Sequence, residues 1–250
     1  MTIKKLTNAT IDRKQKEIIN WNFEHIHSLA DDLEATKVPY TGATATVNLG
    51  SHKLITEEVE SVGDLLVDCG ANKTLLLEEP VWEDLRFPAT SINPPGAVGG
   101  ADQELTDPYI GTLLFDPGAI EICVGQAQFP HSRKLSSPLH CHVHWTPTSV
   151  DTGNVLWRLS YMLADINGTF SGSFTSIDIL TASSGVVGRH QTANFPSIDN
   201  QGAAVSTMMI WKLSRVATDG TDDYTGDARL LEFDIHYQID TIGSRQAGSK

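Results

Sequence analysis

Leu231-Glu232-Phe233-Asp234-Ile235-His236-Tyr237-Gln238-Ile239 alternates apolar and polar residues without a break. Successive side chains of a β-strand point to opposite faces. Leu231, Phe233, Ile235, Tyr237 and Ile239 therefore share one face, and Glu232, Asp234, His236 and Gln238 share the other. Such a strand belongs in an antiparallel sheet, with its apolar face on a core and its polar face toward water or a polar subunit contact. The same texture recurs on working back toward the N-terminus. Residues 204–215, around Met208-Met209-Ile210-Trp211, read as a buried strand, and residues 139–145, 154–166 and 170–180 as three more. Asn167-Gly168 between two of them is a tight-hairpin signal. Leu113-Leu114-Phe115 and Glu121 to Ala127 flank the turn Asp116-Pro117-Gly118, and residues 218–226 form a polar acidic loop expected to be solvated. About seven or eight strands separated by turn signals predict an antiparallel β-sandwich, most simply a jelly roll.

Upstream of this region the pattern changes. Pro88, Pro94, Pro95 and Pro108 with Gly96, Gly99 and Gly100 predict a long loop or linker over 88–108. The domain boundary is expected near residue 80, giving an N-terminal part (1–80) and a β-sandwich (81–250). Within the first part, Ile19, Phe23, Ile26, Ala30 and Leu33 recur at spacings of 4, 3, 4 and 3, which predicts a short helix inside residues 8–34. Its narrow apolar seam suits either a partner helix or the chain's own domain. Residues 40–56 are rich in Thr, Gly and β-branched side chains and read as extended strands with too few large side chains to build a core. Such a segment persists when sister copies or a larger assembly cover it. Residues 65–77, with Gly70-Ala71-Asn72 at the centre, read as a hairpin. The chain is thus expected to be mainly β, with a short helix and an extended β segment ahead of the sandwich.

Composition narrows the function classes. The chain has 250 residues, 40% hydrophobic and 20% charged, which suits an ordinary globular core. Its 31 acidic and 18 basic side chains give a net charge of -13, a surface that repels nucleic-acid phosphates and anionic membranes. No apolar run approaches the ~18 residues of a membrane span. Behind Met1-Thr2-Ile3-Lys4-Lys5 there is no apolar stretch of the kind a secretory signal carries, so synthesis in the cytoplasm is expected. Cys69, Cys123 and Cys141 are far apart and odd in number, which disfavours a disulfide framework or a cysteine zinc site and predicts buried or half-buried thiols.

The most distinctive local string is His140-Cys141-His142-Val143-His144-Trp145. On a strand, Cys141, Val143 and Trp145 face the core while His140, His142 and His144 face outward or toward a subunit axis. Two imidazoles at i, i+2 can hold one first-row metal, so His142 and His144, with His140 beside them, are the candidate metal ligands. Three uses are open: a cupin-like metal enzyme, which needs a downstream Glu and a further His, although no Glu follows within the next strand; a cage of six imidazoles on the threefold axis of a trimer; and plain hydrogen bonding on a polar face. Asp219, Asp222, Asp223 and Asp227 near Gly220 and Gly226 suggest a loose calcium loop without EF-hand spacing. GxSxG, Walker, GxGxxG-after-strand and HExxH motifs are absent, so no catalytic residue is nominated and binding is expected rather than catalysis. Among Trp21, Trp82, Trp145, Trp157 and Trp211, the last three fall on strands and are expected in the core. An exposed one could platform a sugar ring.

Val38-Pro39-Tyr40-Thr41-Gly42-Ala43-Thr44 through Val47-Asn48-Leu49-Gly50 and Leu54 resembles a short module of bacteriophage tail-fibre and related virion proteins. Residues 82–88, Asn93-Pro94-Pro95-Gly96, Pro130-His131-Ser132, His142-Val143-His144-Trp145, residues 153–159, residues 210–215 and residues 227–237 are similar to an uncharacterised phage structural family. The resemblance spans about residues 38–244. It implies a virion component, usually a homotrimer, as a tail fibre or capsid decoration. Its implied partners are its own copies, capsid, neck or tail proteins and a host cell-surface glycan, without nucleic acid or membrane insertion. Some phage spikes hold iron on a threefold axis through His pairs like His142 and His144.

Overall fold

The computed structural model describes residues 21–22, 24–27, 75–96, 99–170, 172–199, 203–244 and 246–247. The chain divides into two units, residues 1–66 and 67–250. In the first, residues 21–22 and 24–27 are helical, within the helix expected over 8–34. Trp21 stacks on His25 at 5.1 Å between ring centroids. The seam residue Ile26 is 64% exposed. The Thr/Gly-rich stretch 40–56, Cys69 and most of the hairpin expected over 65–77 lie outside the described residues.

The second unit is a sandwich of two antiparallel sheets. Its strands are β1 (Leu76–Pro88), β2 (Asp102–Gln103), β3 (Leu113–Phe115), β4 (Ile120–Gln128), β5 (His140–Pro147), β6 (Asn154–Ala164), β7 (Thr175–Ala182), β8 (Gln191–Asn194), β9 (Met208–Val216) and β10 (Ala228–Thr241). The six-stranded sheet runs β2-β3-β10-β5-β8, with β1 also paired to β10; the four-stranded sheet runs β4-β9-β6-β7. β10 is the spine of the larger sheet. One of its edges takes β3 and then β1, and the other takes β5.

Alternation sets the inner faces, as the sequence predicts. Cys141, Val143 and Trp145 of β5, Val155, Trp157 and Leu159 of β6, Met209, Trp211 and Leu213 of β9, and Phe233 and Ile235 of β10 are buried together. Removing such side chains from water supplies about 1.5–3 kcal/mol each. The aromatic rings interlock: Trp157 meets Phe115 edge-on at 5.1 Å, and Trp211 lies 4.6 Å from Phe233. Cys123 and Cys141 are free and buried, as expected of thiols in this sequence.

Several expectations change. β1 starts at Leu76 and runs through the boundary expected at residue 80; its register with β10 shifts between Leu76 and Val81, around Pro80, which has no N–H to donate. The described residues of 88–108 form the loop alternative, held on the sandwich rather than free. Ala89, Ile92 and Ala101 are buried, Asn93 bridges to Val124 and Gly100 to Ile122, and β2 adds to the sheet. Proline there breaks strand pairing without detaching the segment from the core. The turn at Asn167-Gly168 forms, with the Gly168 N–H on the Asp165 carbonyl at 2.8 Å, but β7 begins only at Thr175, so the hairpin loop is wide.

The acidic loop after β9 is exposed along residues 218–221, as expected, but it is pinned from within. Arg215 is buried, and its guanidinium takes Asp222 Oδ1 at 2.8 Å and Oδ2 at 3.1 Å together with the carbonyls of Phe115 (3.0 Å) and Gly226 (2.7 Å). The Asp222 side chain is 1% exposed. Tyr224 is buried beside them, and its hydroxyl accepts the Thr148 and Ser149 N–H groups at 2.9 Å. Buried charge survives here because every partner is present.

Candidate functional site

The outer face of the six-stranded sheet carries the concentration of chemistry. Register explains it: His142 lies opposite Asp234, His144 opposite Glu232, and His140 opposite His236. On the other side of β10, Asp84 faces His236 and Arg86 faces Asp234. Two alternating strands with polar outer faces, once paired, give a patch of imidazoles around one carboxylate.

Asp234 is the centre of that patch, with a side chain only 6% exposed. His142 Nε2 stands 2.9 Å from its Oδ1, and His144 Nε2 stands 3.2 Å from its Oδ2. The two Nε2 atoms are themselves 2.9 Å apart. His236 Nε2 lies 3.8 Å from Oδ2, and its other nitrogen, Nδ1, lies 3.1 Å from Asp84 Oδ1. His144 Nδ1 meets His190 Nε2 at 2.6 Å. His142 Nε2 is within hydrogen-bond distance of Asp234 Oδ1, yet the contact makes no well-formed hydrogen bond and the buried Oδ1 is left without one. Arg86 grips Glu232 with Nε at 2.6 Å and Nη2 at 2.8 Å, a forked ion pair at the rim. The patch opens into a cleft of about 380 Å³ lined by Asp84, Arg86, His144, His190, Leu231, Glu232 and Asp234.

Electrostatics follow from this crowding. Burial alone would raise the Asp234 carboxyl, but the adjoining His142 ring and the charges of His142, His144 and His236 outweigh it and hold it below the usual carboxylate range. Burial pushes His144 down; Asp234 opposes that, while His142 and His190 add to it, and the net direction is downward. The ring therefore stays neutral to lower pH than an ordinary histidine.

Of the expected ligands, His142 and His144 come together at this patch. His140 does not: its ring sits edge-on against Trp82 at 5.0 Å. Sequence reasoning missed Asp234, His236, Asp84 and His190 as companions. The signal for Asp234 and His236 was the polar face of 231–239, which carried no indication that it lies beside His140–His144; nothing in the sequence singled out Asp84 or His190. The carboxylate that the HxH pair lacked within its own hairpin comes from β10. The loose calcium loop does not assemble. Asp222 is bound to Arg215 and to the Leu156 N–H, Asp223 accepts the Asn154 N–H and Asp219 caps Thr221, so these carboxylates converge on no common point. Among the described residues, the His/Cys/Asp/Glu group compact enough for an ion is His142, Asp234 and His236.

No protein-family model matches the chain, and no curated protein sequence matches it. Among solved structures, it is similar to the CBM36-1 domain of a multidomain xylanase from the hindgut metagenome of Trinervitermes trinervoides, at 10% identity and a TM-score of 0.36, covering 61% of this chain and 96% of that one. A carbohydrate-binding module CBM36 in complex with calcium and xylotriose aligns at 15% identity and a TM-score of 0.33, over 62% of this chain and 98% of the other. The CBM22-1 xylan-binding domain of a Paenibacillus barcinonensis protein aligns at 10% identity and 0.29, over 70% and 99%. Likeness at this level carries nothing about ligand or activity, and the β-sandwich rests on the strand pairing described above.

Proposed function

We propose that this chain is a structural component of a bacteriophage virion, a homotrimeric fibre or capsid decoration that attaches through its N-terminal part and displays the β-sandwich. It acts by binding rather than catalysis. The observation that carries the reading is the run of phage-like strings over residues 38–244. The strings at 82–88, 142–145, 153–159, 210–215 and 227–237 fall on or border β1, β5, β6, β9 and β10, the strands that frame the sandwich core. Self-association is supported by β1. Among the described residues it pairs with β10 alone, and Leu76, Val81 and Trp82 along it are exposed. An apolar edge of that kind is ordinarily covered by another chain. The test is mass spectrometry and antibody labelling of purified particles. Stoichiometric presence with label on the particle surface is expected, and absence from particles overturns the reading.

A second reading, a displayed module that binds host glycan, is favoured by Trp82. Trp145, Trp157 and Trp211 are fully buried, whereas Trp82 is 48% exposed on the outer sheet face with its ring braced by His140. A glycan array probed with the full chain and with W82A tests this. Loss of a specific signal in W82A supports it, and no signal from either protein overturns it.

A further inference from the structure

We propose that His142, Asp234 and His236, with His144 as a fourth donor, bind one divalent first-row transition-metal ion per chain on the outer face of the six-stranded sheet. The site is independent of where the protein resides. One ligand atom from each of His142, Asp234 and His236 lies within 4.8 Å of the others. Donors about 2.1 Å from a common ion stand roughly 3.0–3.4 Å apart when adjacent. The separations of 2.9 Å (His142 Nε2 to Asp234 Oδ1 and to His144 Nε2) and 3.2 Å (His144 Nε2 to Asp234 Oδ2) fall close to that range, and His236 Nε2 at 3.8 Å needs only a small approach.

Three features point to a cation rather than a closed hydrogen-bond network. Asp234 Oδ1 is buried and accepts no hydrogen bond, which is uncommon for a carboxylate oxygen. The ring nitrogens turned away from the centre are already engaged, His236 Nδ1 by Asp84 and His144 Nδ1 by His190. That is how outer partners fix the tautomer of a ligating histidine so that its other nitrogen offers a lone pair inward. Finally, the imidazoles of His142, His144 and His236 and the Asp234 carboxylate converge on one small region of the sheet face. The donor set is mostly imidazole, which suits zinc, iron(II), nickel or copper and not calcium or magnesium. The adjoining cleft of about 380 Å³ leaves room for water on the ion.

The full chain, stripped with a chelator, is titrated with Zn2+ by calorimetry and with Co2+ by visible absorption. One ion per chain and a d–d spectrum for Co2+ are expected. D234N and H236A weaken binding by at least about tenfold, while H140A leaves it unchanged. Near-UV circular dichroism of the metal-free variants reports whether they fold. If they do not, histidine-ring NMR of the unaltered protein decides: Zn2+ shifts His142, His144 and His236 and leaves His140 in place. A ratio of one ion per three chains, undiminished binding by folded D234N or H236A, ring shifts confined to other histidines, or no binding at millimolar metal overturns the proposal.

Discussion

A carboxylate enclosed by three imidazoles is costly to desolvate, and Asp234 tolerates it because opposite or polarisable partners surround it. Other single residues show the same dependence on their surroundings. Burial pushes the Cys123 and Cys141 thiols far up, so neither presents thiolate at neutral pH. Both should resist a disulfide reagent in the native protein and react only on unfolding, as thiol titration with and without denaturant would show. Gly125 sits where a Cβ would run into the Trp211 ring. G125A must displace a fully buried indole, and we expect it to destabilise the protein by about 1–3 kcal/mol in urea denaturation. No loss would mean that the ring can shift freely.

At the scale of elements, the loops at one end of the sandwich are held by charge. D222A leaves Arg215 buried with carbonyls but no counter-ion, so we expect a loss of about 3 kcal/mol, read as a lower melting temperature. Asp151 ties the loop after β5 to the one before β10, its Oδ2 accepting the Thr225 N–H at 2.8 Å and hydroxyl at 2.7 Å. Those bonds hold its carboxyl below the usual range. A carboxyl with a lowered folded pKa contributes stability above its unfolded value, lost as pH falls through the folded one. The melting-temperature deficit of D151A relative to the unaltered protein should therefore be full at neutral pH and shrink below about pH 4. A deficit constant down to pH 2 would show that the charge plays no part.

At the scale of the whole molecule, the described sandwich buries its own core, whereas Leu76, Val81 and Trp82 of β1 are about half exposed or more, and Ile26 of the N-terminal unit is exposed as well. If sister copies cover them, light scattering of the full chain at micromolar concentration should give the mass of a trimer. A stable monomer would remove the homotrimer from the functional proposal.

The β class, the strands β3–β7, β9 and β10, and the facing of β5 and β10 were legible in the chain, because the two-residue period of a strand is a local property. Phe233 and Ile235 inside with Asp234 and His236 outside, or Val143 inside with His142 outside, needs no knowledge of neighbours. The fate of residues 88–108 and 218–226 was not legible. Prolines, glycines and acids look alike in a free loop and in one pinned by Arg215 or bridged to β4. The metal-like patch lay further out of reach. His144 and Asp234 are 90 positions apart, and only the pairing of β5 with β10, in that register, makes them neighbours. Strand partners are chosen by the packing of the whole core, so the chain alone determined which side chains face outward, and the tertiary structure alone decided which of them meet.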